Sequence, residues 1–93
     1  MNRSDLVEEI ARRNQLPRRT ADVAVGTVFG AISDALVDGE RIEIRGFGSF
    51  IPREYEGYVG RNPKTGGAVK VASKRLPFFR VGKALREIVD GAQ

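Results

Sequence analysis

Apolar positions along the chain fall into three helical stripes separated by runs that alternate with a period of two. Leu6, Val7, Ile10 and Ala11 recur at the three- and four-residue steps of an amphipathic helix. Asn2-Arg3-Ser4-Asp5 supplies its start, with Asn2 as N-cap and Asp5 near the positive end of the helix dipole. Pro17 interrupts the pattern and suits a turn or the first position of a second helix. That helix is predicted to run to about Val37, with Ala21, Val25, Val28, Phe29, Ile32 and Leu36 on one stripe and Gly39 as its stop. Ala24, Ala31 and Ala35 make the stripe wider than one partner helix needs, which predicts self-association. A last stripe, Ala84, Leu85, Ile88 and Val89, predicts a helix after Gly82.

Between the second and third stripes the chain reads as sheet. Arg41-Ile42-Glu43-Ile44-Arg45 alternates, placing the isoleucines inward and three charges outward. Gly46-Phe47-Gly48 allows a tight turn, and Ser49 to Val59 reads as a second strand, with Pro52 implying an edge or a bulge. Residues 60–67 form a polar turn, after which Val69-Lys70-Val71 returns antiparallel and Leu76-Pro77-Phe78-Phe79 rejoins the core. Phe47, Phe50, Phe78 and Phe79 are expected in that core. The expected fold is α+β in one domain. Residues 1–39 form a helical hairpin, 40–82 a sheet with an extended ribbon arm at about 53–75, and 83–93 a C-terminal helix. The ribbon has too few apolar residues to cover a face, and an isolated two-stranded ribbon is marginal in water. Such an arm orders on a ligand, losing its conformational entropy at that moment.

Composition narrows the chemistry. The 93 residues contain no His and no Cys, which excludes a Cys/His zinc site, a thiol nucleophile, a disulfide framework and a Ser-His-Asp triad. A chain of this length buries only roughly 60–65% of its unfolded surface, so further core is expected from a second chain. No uninterrupted run of 18 apolar residues and no signal-like leader occurs, and no basic helix has a large exposed apolar face for an anionic membrane. A cytoplasmic protein without a cofactor, and not an enzyme, is expected. Charge then points to the ligand. The net charge of +4 conceals segregation: residues 57–86 carry eight cations (Arg61, Lys64, Lys70, Lys74, Arg75, Arg80, Lys83, Arg86) and no acid. Ordinary solvated faces mix both signs, so this stretch reads as a polyanion-binding surface.

Three motifs at these positions resemble the HU/integration host factor family of bacterial histone-like DNA-binding proteins. They are Gly46-Phe47-Gly48-Ser49-Phe50, Gly60-Arg61-Asn62-Pro63-Lys64-Thr65-Gly66, and Phe79-Arg80-Val81-Gly82-Lys83-Ala84-Leu85. The resemblance spans nearly the whole chain and implies an intertwined dimer, formed by one chain or with a related subunit. Two ribbon arms would embrace double-stranded DNA in the minor groove at the nucleoid, bending or condensing it. It implies that Pro63 wedges between base pairs, that Arg61 and Asn62 read minor-groove acceptors, that Lys64, Lys70, Lys74 and Arg75 follow phosphates along the arm, and that Arg53 is among the DNA-binding residues. Arg80, Lys83 and Arg86 would cradle DNA on the body, the backbone near Gly82 would add an anion site, and Arg3 would help at the flanks. The run from Arg41 to Gly48 looks more like the integration-host-factor beta branch than like HU, which implies a part for Glu43 and Arg45 in sequence preference. A cross-strand Glu43–Arg45 surface pair is the plainer alternative.

The base of the arm departs from the family pattern. Arg53-Glu54-Tyr55-Glu56-Gly57-Tyr58-Val59 carries two acids and two tyrosines where family members commonly place basic residues. Strand alternation puts Glu54 and Glu56 on the face away from Arg53 and Tyr55. This departure permits a protein that coats DNA without strong bending; a separate alternative is an oligomeric scaffold whose exposed ribbon edges join protein partners. Residues 60–66 lack the Gly-Lys-Ser/Thr of a phosphate-binding P-loop.

Overall fold

The computed structural model describes residues 1–92 and divides them into two compact units, residues 1–35 and 36–92. The first unit is a helical hairpin. Helix α1 spans Arg3–Asn14 and helix α2 spans Arg18–Val37, its last turn passing into the second unit. Asn2 caps α1 reciprocally: its side chain accepts the Asp5 N–H at 2.9 Å, while the Asp5 carboxylate accepts the Asn2 N–H at 3.0 Å. Gln15 ends α1 in the left-handed region at φ 52, returning its N–H to the Ala11 carbonyl. Pro17 then offers its carbonyl to the Ala21 N–H at 3.1 Å, opening α2 as the sequence predicted.

Burial in this unit is narrow. Val7, Ala21 and Val25 are fully buried, with Leu6, Ile10 and Ala11 packed around them. Val28 and Phe29, on the same stripe of α2, remain 56% and 46% exposed, and an apolar groove lined by Leu6, Ile10, Ala24, Val25, Val28 and Phe29 lies open. Exposed ion pairs Arg3–Asp22 (2.8 Å) and Arg18–Glu8 (2.9 Å) link the helices and add little stability. Hydrogen bonds from Arg13 and Arg12 hold the Glu9 carboxyl below its ordinary pKa. By length and mean hydropathy α2 is apolar enough to cross a bilayer, but it carries Arg18, Arg19, Asp22 and Asp34 and buries Ala21 and Val25 against α1.

The second unit is a three-stranded antiparallel sheet, a separate two-stranded ribbon and helix α3 (Lys83–Gly91). Strands β1 (Ile42–Ile44), β2 (Gly48–Tyr55) and β5 (Lys74–Val81) lie in the order β1-β2-β5. Strands β3 (Tyr58–Arg61) and β4 (Ala68–Val71) pair only with each other. The expected single strand over 49–59 is therefore two. The β2–β5 ladder stops at Tyr55↔Lys74 and the ribbon begins at Tyr58↔Val71, leaving residues 56–57 and 72–73 unpaired on both strands. Gly57 occupies this break because the chains nearly touch there: a Cβ would meet the Val71 carbonyl oxygen at 2.7 Å and the Ser73 nitrogen at 2.9 Å.

Pro52 is on the middle strand rather than an edge strand, yet β1 reaches only to Phe50, so β2 is locally uncovered there. It faces Pro77 across the ladder. Two prolines can oppose each other at a pair whose N–H positions point away from the partner strand, where neither missing donor breaks a ladder bond. The Phe47 turn is closed by Phe47 N–H to the Ile44 carbonyl, 2.9 Å, and receives the Gly82 N–H at 2.9 Å, which ties it to the start of α3.

The expected phenylalanine core is corrected in two ways. Phe47, Phe50 and Phe79 do cluster, with tilted rings 5.6 and 5.0 Å from Phe79, but Phe78 lies on the opposite sheet face. Moreover, this unit buries only Gly48: Phe47, Phe78 and Phe79, with Ile88 and Val89 of α3, stay exposed. No hydrophobic side chain of residues 36–92 is buried, so this unit leaves its apolar faces open.

Candidate nucleic-acid interface

Strand alternation and register sort the cations of the sheet unit onto faces. Ile42, Ile44, Phe50, Phe79 and Val81 fall on one face of the sheet, together with Pro52, Pro77, Glu54 and Arg75. The other face carries Glu43, Ser49, Arg80, Ile51, Phe78, Arg53, Leu76, Tyr55 and Lys74. Arg80, Arg53 and Lys74 thus share a face from which the phenylalanine cluster is absent. Arg53 stacks over the Phe78 ring, its guanidinium carbon 3.9 Å from the centroid. Glu54 lies opposite Arg53, as alternation predicted, whereas Glu56 falls in the break and has no strand face.

The ribbon is two-sided in the same way. Arg61 and Lys70 share one face with Val59 and Ala68, and Tyr58, Gly60, Val69 and Val71 make up the other. At the tip, the Asn62 side-chain oxygen accepts the Lys64 N–H at 2.8 Å, and the Asn62 backbone exchanges bonds with Gly66 and Gly67. Thr65 Oγ1 accepts the Gly67 N–H at 3.2 Å. These bonds hold Pro63 and Lys64 exposed at the end of the ribbon. An exposed, donor-free ring on a hydrogen-bonded turn is what an apolar wedge requires.

Several expected binding residues stand elsewhere. Arg75 does not join the cationic face: its Nη2 donates to the Val37 carbonyl at 2.7 Å, capping the C-terminus of α2 on the apolar side of the sheet. Asn62 turns its side-chain oxygen to the Lys64 N–H, while its amide N–H groups make no hydrogen bond among the described residues. Arg3 belongs to the helical hairpin, where Asp22 holds its guanidinium. Glu43 pairs with Arg41 at 2.8 Å, along its own strand, and not with Arg45 in the turn. Among the backbone N–H groups near the start of α3, where an anion site was expected, that of Gly82 is taken by the Phe47 carbonyl. Lys83 and Arg86 are exposed on α3, Lys83 only loosely near Glu87 at 3.9 Å. Sequence reasoning missed Phe78 as the ring beneath Arg53, because their diagonal placement depends on a register that the sequence does not carry.

No group of three or more metal-ligating side chains occurs among the described residues. What the surface offers is a set of fixed-charge donors, distributed over one sheet face, one ribbon face and a tip, a pattern suited to a repeating anion.

Comparison with known proteins agrees with this geometry. The chain is 57% identical over 91 residues to an integration host factor subunit beta of Ralstonia nicotianae, covering 97% of this chain and 66% of that one. It is 52% identical over 91 residues to the subunit of the same name from Herminiimonas arsenicoxydans, covering 97% and 90% respectively. The chain thus spans just under two thirds of the length of the first of these relatives. Among solved structures, an HU–DNA cocrystal from Anabaena matches with a TM-score of 0.86 and 35% identity, covering 96% of this chain and 97% of that one. The model of the bacterial DNA-binding protein family matches residues 1–90. Carrying the predicted motifs, the α+β fold and this match over nearly its full length, the chain belongs to the bacterial DNA-binding protein family, that of HU and integration host factor.

Proposed function

We propose that the protein is a dimeric architectural protein that binds double-stranded DNA and bends it by inserting Pro63 from the tip of its ribbon. The carrying observation is the ribbon itself: it pairs with no other strand, presents Arg61 and Lys70 on one face, and holds Pro63 exposed on a tip closed by Asn62 and Thr65. A minor groove displays acceptors to such donors, and an apolar wedge unstacks a base step at a cost of a few kcal/mol, offset by the surface the bent duplex then reaches. Arg53, Lys74 and Arg80 on the sheet, with Lys83 and Arg86 on α3, supply phosphate contacts for the flanking DNA. The protein acts at the bacterial nucleoid, in the cytoplasm.

A second chain is part of this reading. The groove beside Val28 and Phe29, the Phe47–Phe79 cluster, and Ile88 and Val89 are uncovered apolar regions, against three buried hydrophobic residues among the described ones. A second copy, or a related subunit, covers them and gives the two arms needed to embrace a duplex.

Pro63→Ala is expected to open the bend while retaining most of the affinity, since the wedge supplies distortion and the cations supply attraction. Fluorescence transfer between the ends of a labelled duplex measures it. Unchanged transfer at saturating protein would refute the wedge and favour a straight coating mode. Arg75→Gln provides a contrast, because its cation serves α2. We expect it to lower stability by about 0.5–1 kcal/mol in a thermal melt, with no change in the salt dependence of binding. A shallower salt dependence would return Arg75 to the phosphate contacts.

A further inference from the structure

The Arg53–Phe78 stack has a directional consequence. Phe78 is directly opposite Ile51, and Arg53 directly opposite Leu76, so the two side chains are diagonal neighbours on one sheet face. At 3.9 Å from the ring centroid, the guanidinium rests against the ring. An arginine's N–H donors radiate in the plane of the guanidinium, whereas the ring engages the face of that plane. Seated over the ring and without a side-chain hydrogen bond among the described residues, the group is restrained and keeps its donors for a ligand. No carboxylate pairs with Arg53 among the described residues, and Glu54 points to the opposite side. Lys74 lies diagonally beside it and Arg80 beyond Phe78 on the same face, and Arg53 is the one cation seated on an aromatic ring among the described residues.

We propose that Phe78 is a positioning residue for DNA binding: its ring holds the Arg53 guanidinium flat on the cationic sheet face, with its donor edge free for the two oxygens of a backbone phosphate. This rests on the reading of the protein as a DNA-binding one. Without the ring, Arg53 keeps its charge but must lose its rotamer freedom on binding, which weakens the complex. With the ring, that ordering has already happened in the folded protein. Arginine on phosphate is a two-pronged, planar contact, so a pre-set plane matters more here than for a lysine.

The test is a double-mutant cycle on duplex binding by the full chain, read by fluorescence anisotropy with a labelled linear duplex over a salt series. Phe78→Leu is expected to weaken binding roughly two- to fivefold, the range of an exposed cation–π contact, with the slope of log K against log salt unchanged. Arg53→Gln is expected to make that slope shallower by about 0.9 for each chain bearing it, one phosphate fewer. In the Arg53→Gln background, Phe78→Leu should then have no further effect, and Phe78→Tyr, which keeps the ring face, should recover most of what Phe78→Leu loses. Thermal melts of each variant separate positioning from folding, because a purely structural role for Phe78 would weaken binding equally with and without Arg53. That equality would overturn the proposal, as would an Arg53→Gln slope identical to the native one. If the native protein itself fails to retain the duplex at low salt, the DNA-binding reading fails, and this inference with it.

Discussion

Raising the salt concentration from 50 to 200 mM is expected to weaken duplex binding by about 1,000-fold or more, with log K falling linearly in log salt. Each neutralised phosphate releases condensed counterions, giving a slope of about −0.9 per contact on B-form DNA. The chain presents Arg53, Lys74 and Arg80 on the sheet, Arg61 and Lys70 on the ribbon, Lys64 at the tip, and Lys83 and Arg86 on α3. Two chains double that set. If only roughly six to ten of those groups meet a phosphate, the slope lies between about −5 and −9. A titration at four or more salt concentrations measures it. A slope shallower than about −2 would leave too few phosphate contacts for the proposed grip and would favour a scaffold that joins protein partners. Together with the Pro63→Ala bend measurement, this separates the three functional readings: bending needs both the steep slope and the bend, and coating needs the slope alone.

Gly48→Ala is expected to be the most damaging small substitution in the chain. A Cβ built there would sit 2.6 Å from the Arg80 carbonyl oxygen and 2.6 and 2.7 Å from two atoms of the Phe79 ring. The backbone oxygen cannot give way cheaply. Arg80 is held in the β2–β5 ladder opposite Ser49, and Phe79 is packed between Phe47 and Phe50. Overpacking of this kind costs about 1–3 kcal/mol, and backbone displacement places this site toward the upper end. For a domain of this size that corresponds to a drop of about 10–20 °C in melting temperature. The damage should spread, since Arg80 lies on the cationic face and the adjoining Phe47 turn holds the start of α3 through Gly82. Calorimetry or a circular-dichroism melt checks it; a shift of only a few degrees would mean that the sheet relaxes around the added methyl.

Much of this architecture is legible in the residues because it is local. The Asn2/Asp5 capping box, the stop of α2 near Val37 and the tip turn closed by Asn62 each depend on groups a few positions apart. The Arg41–Arg45 alternation reads as a strand, and the structure places β1 at Ile42–Ile44. The break between sheet and ribbon was hidden for the opposite reason. Residues 49–59 contain no cluster of breakers, and only the approach of Val71 and Ser73 from the returning strand shows why Gly57 stands at that point. The candidate site divides in the same way. Charge segregation located the cationic stretch, but whether a given cation faces a ligand depends on register and on remote acceptors.

From sequence alone came the expectation of a polyanionic ligand, the ribbon with its proline tip and the order of the elements, because charge, turn chemistry and hydrophobic period are carried by neighbouring residues. Tertiary structure alone decided that Arg75 turns to a helix end 38 positions away, that Arg53 lies on Phe78, and that Phe79 joins Phe47 and Phe50 while Phe78 does not. Those outcomes follow from which strands pair and in what register, since a shift of one residue exchanges every side chain between the faces of a sheet.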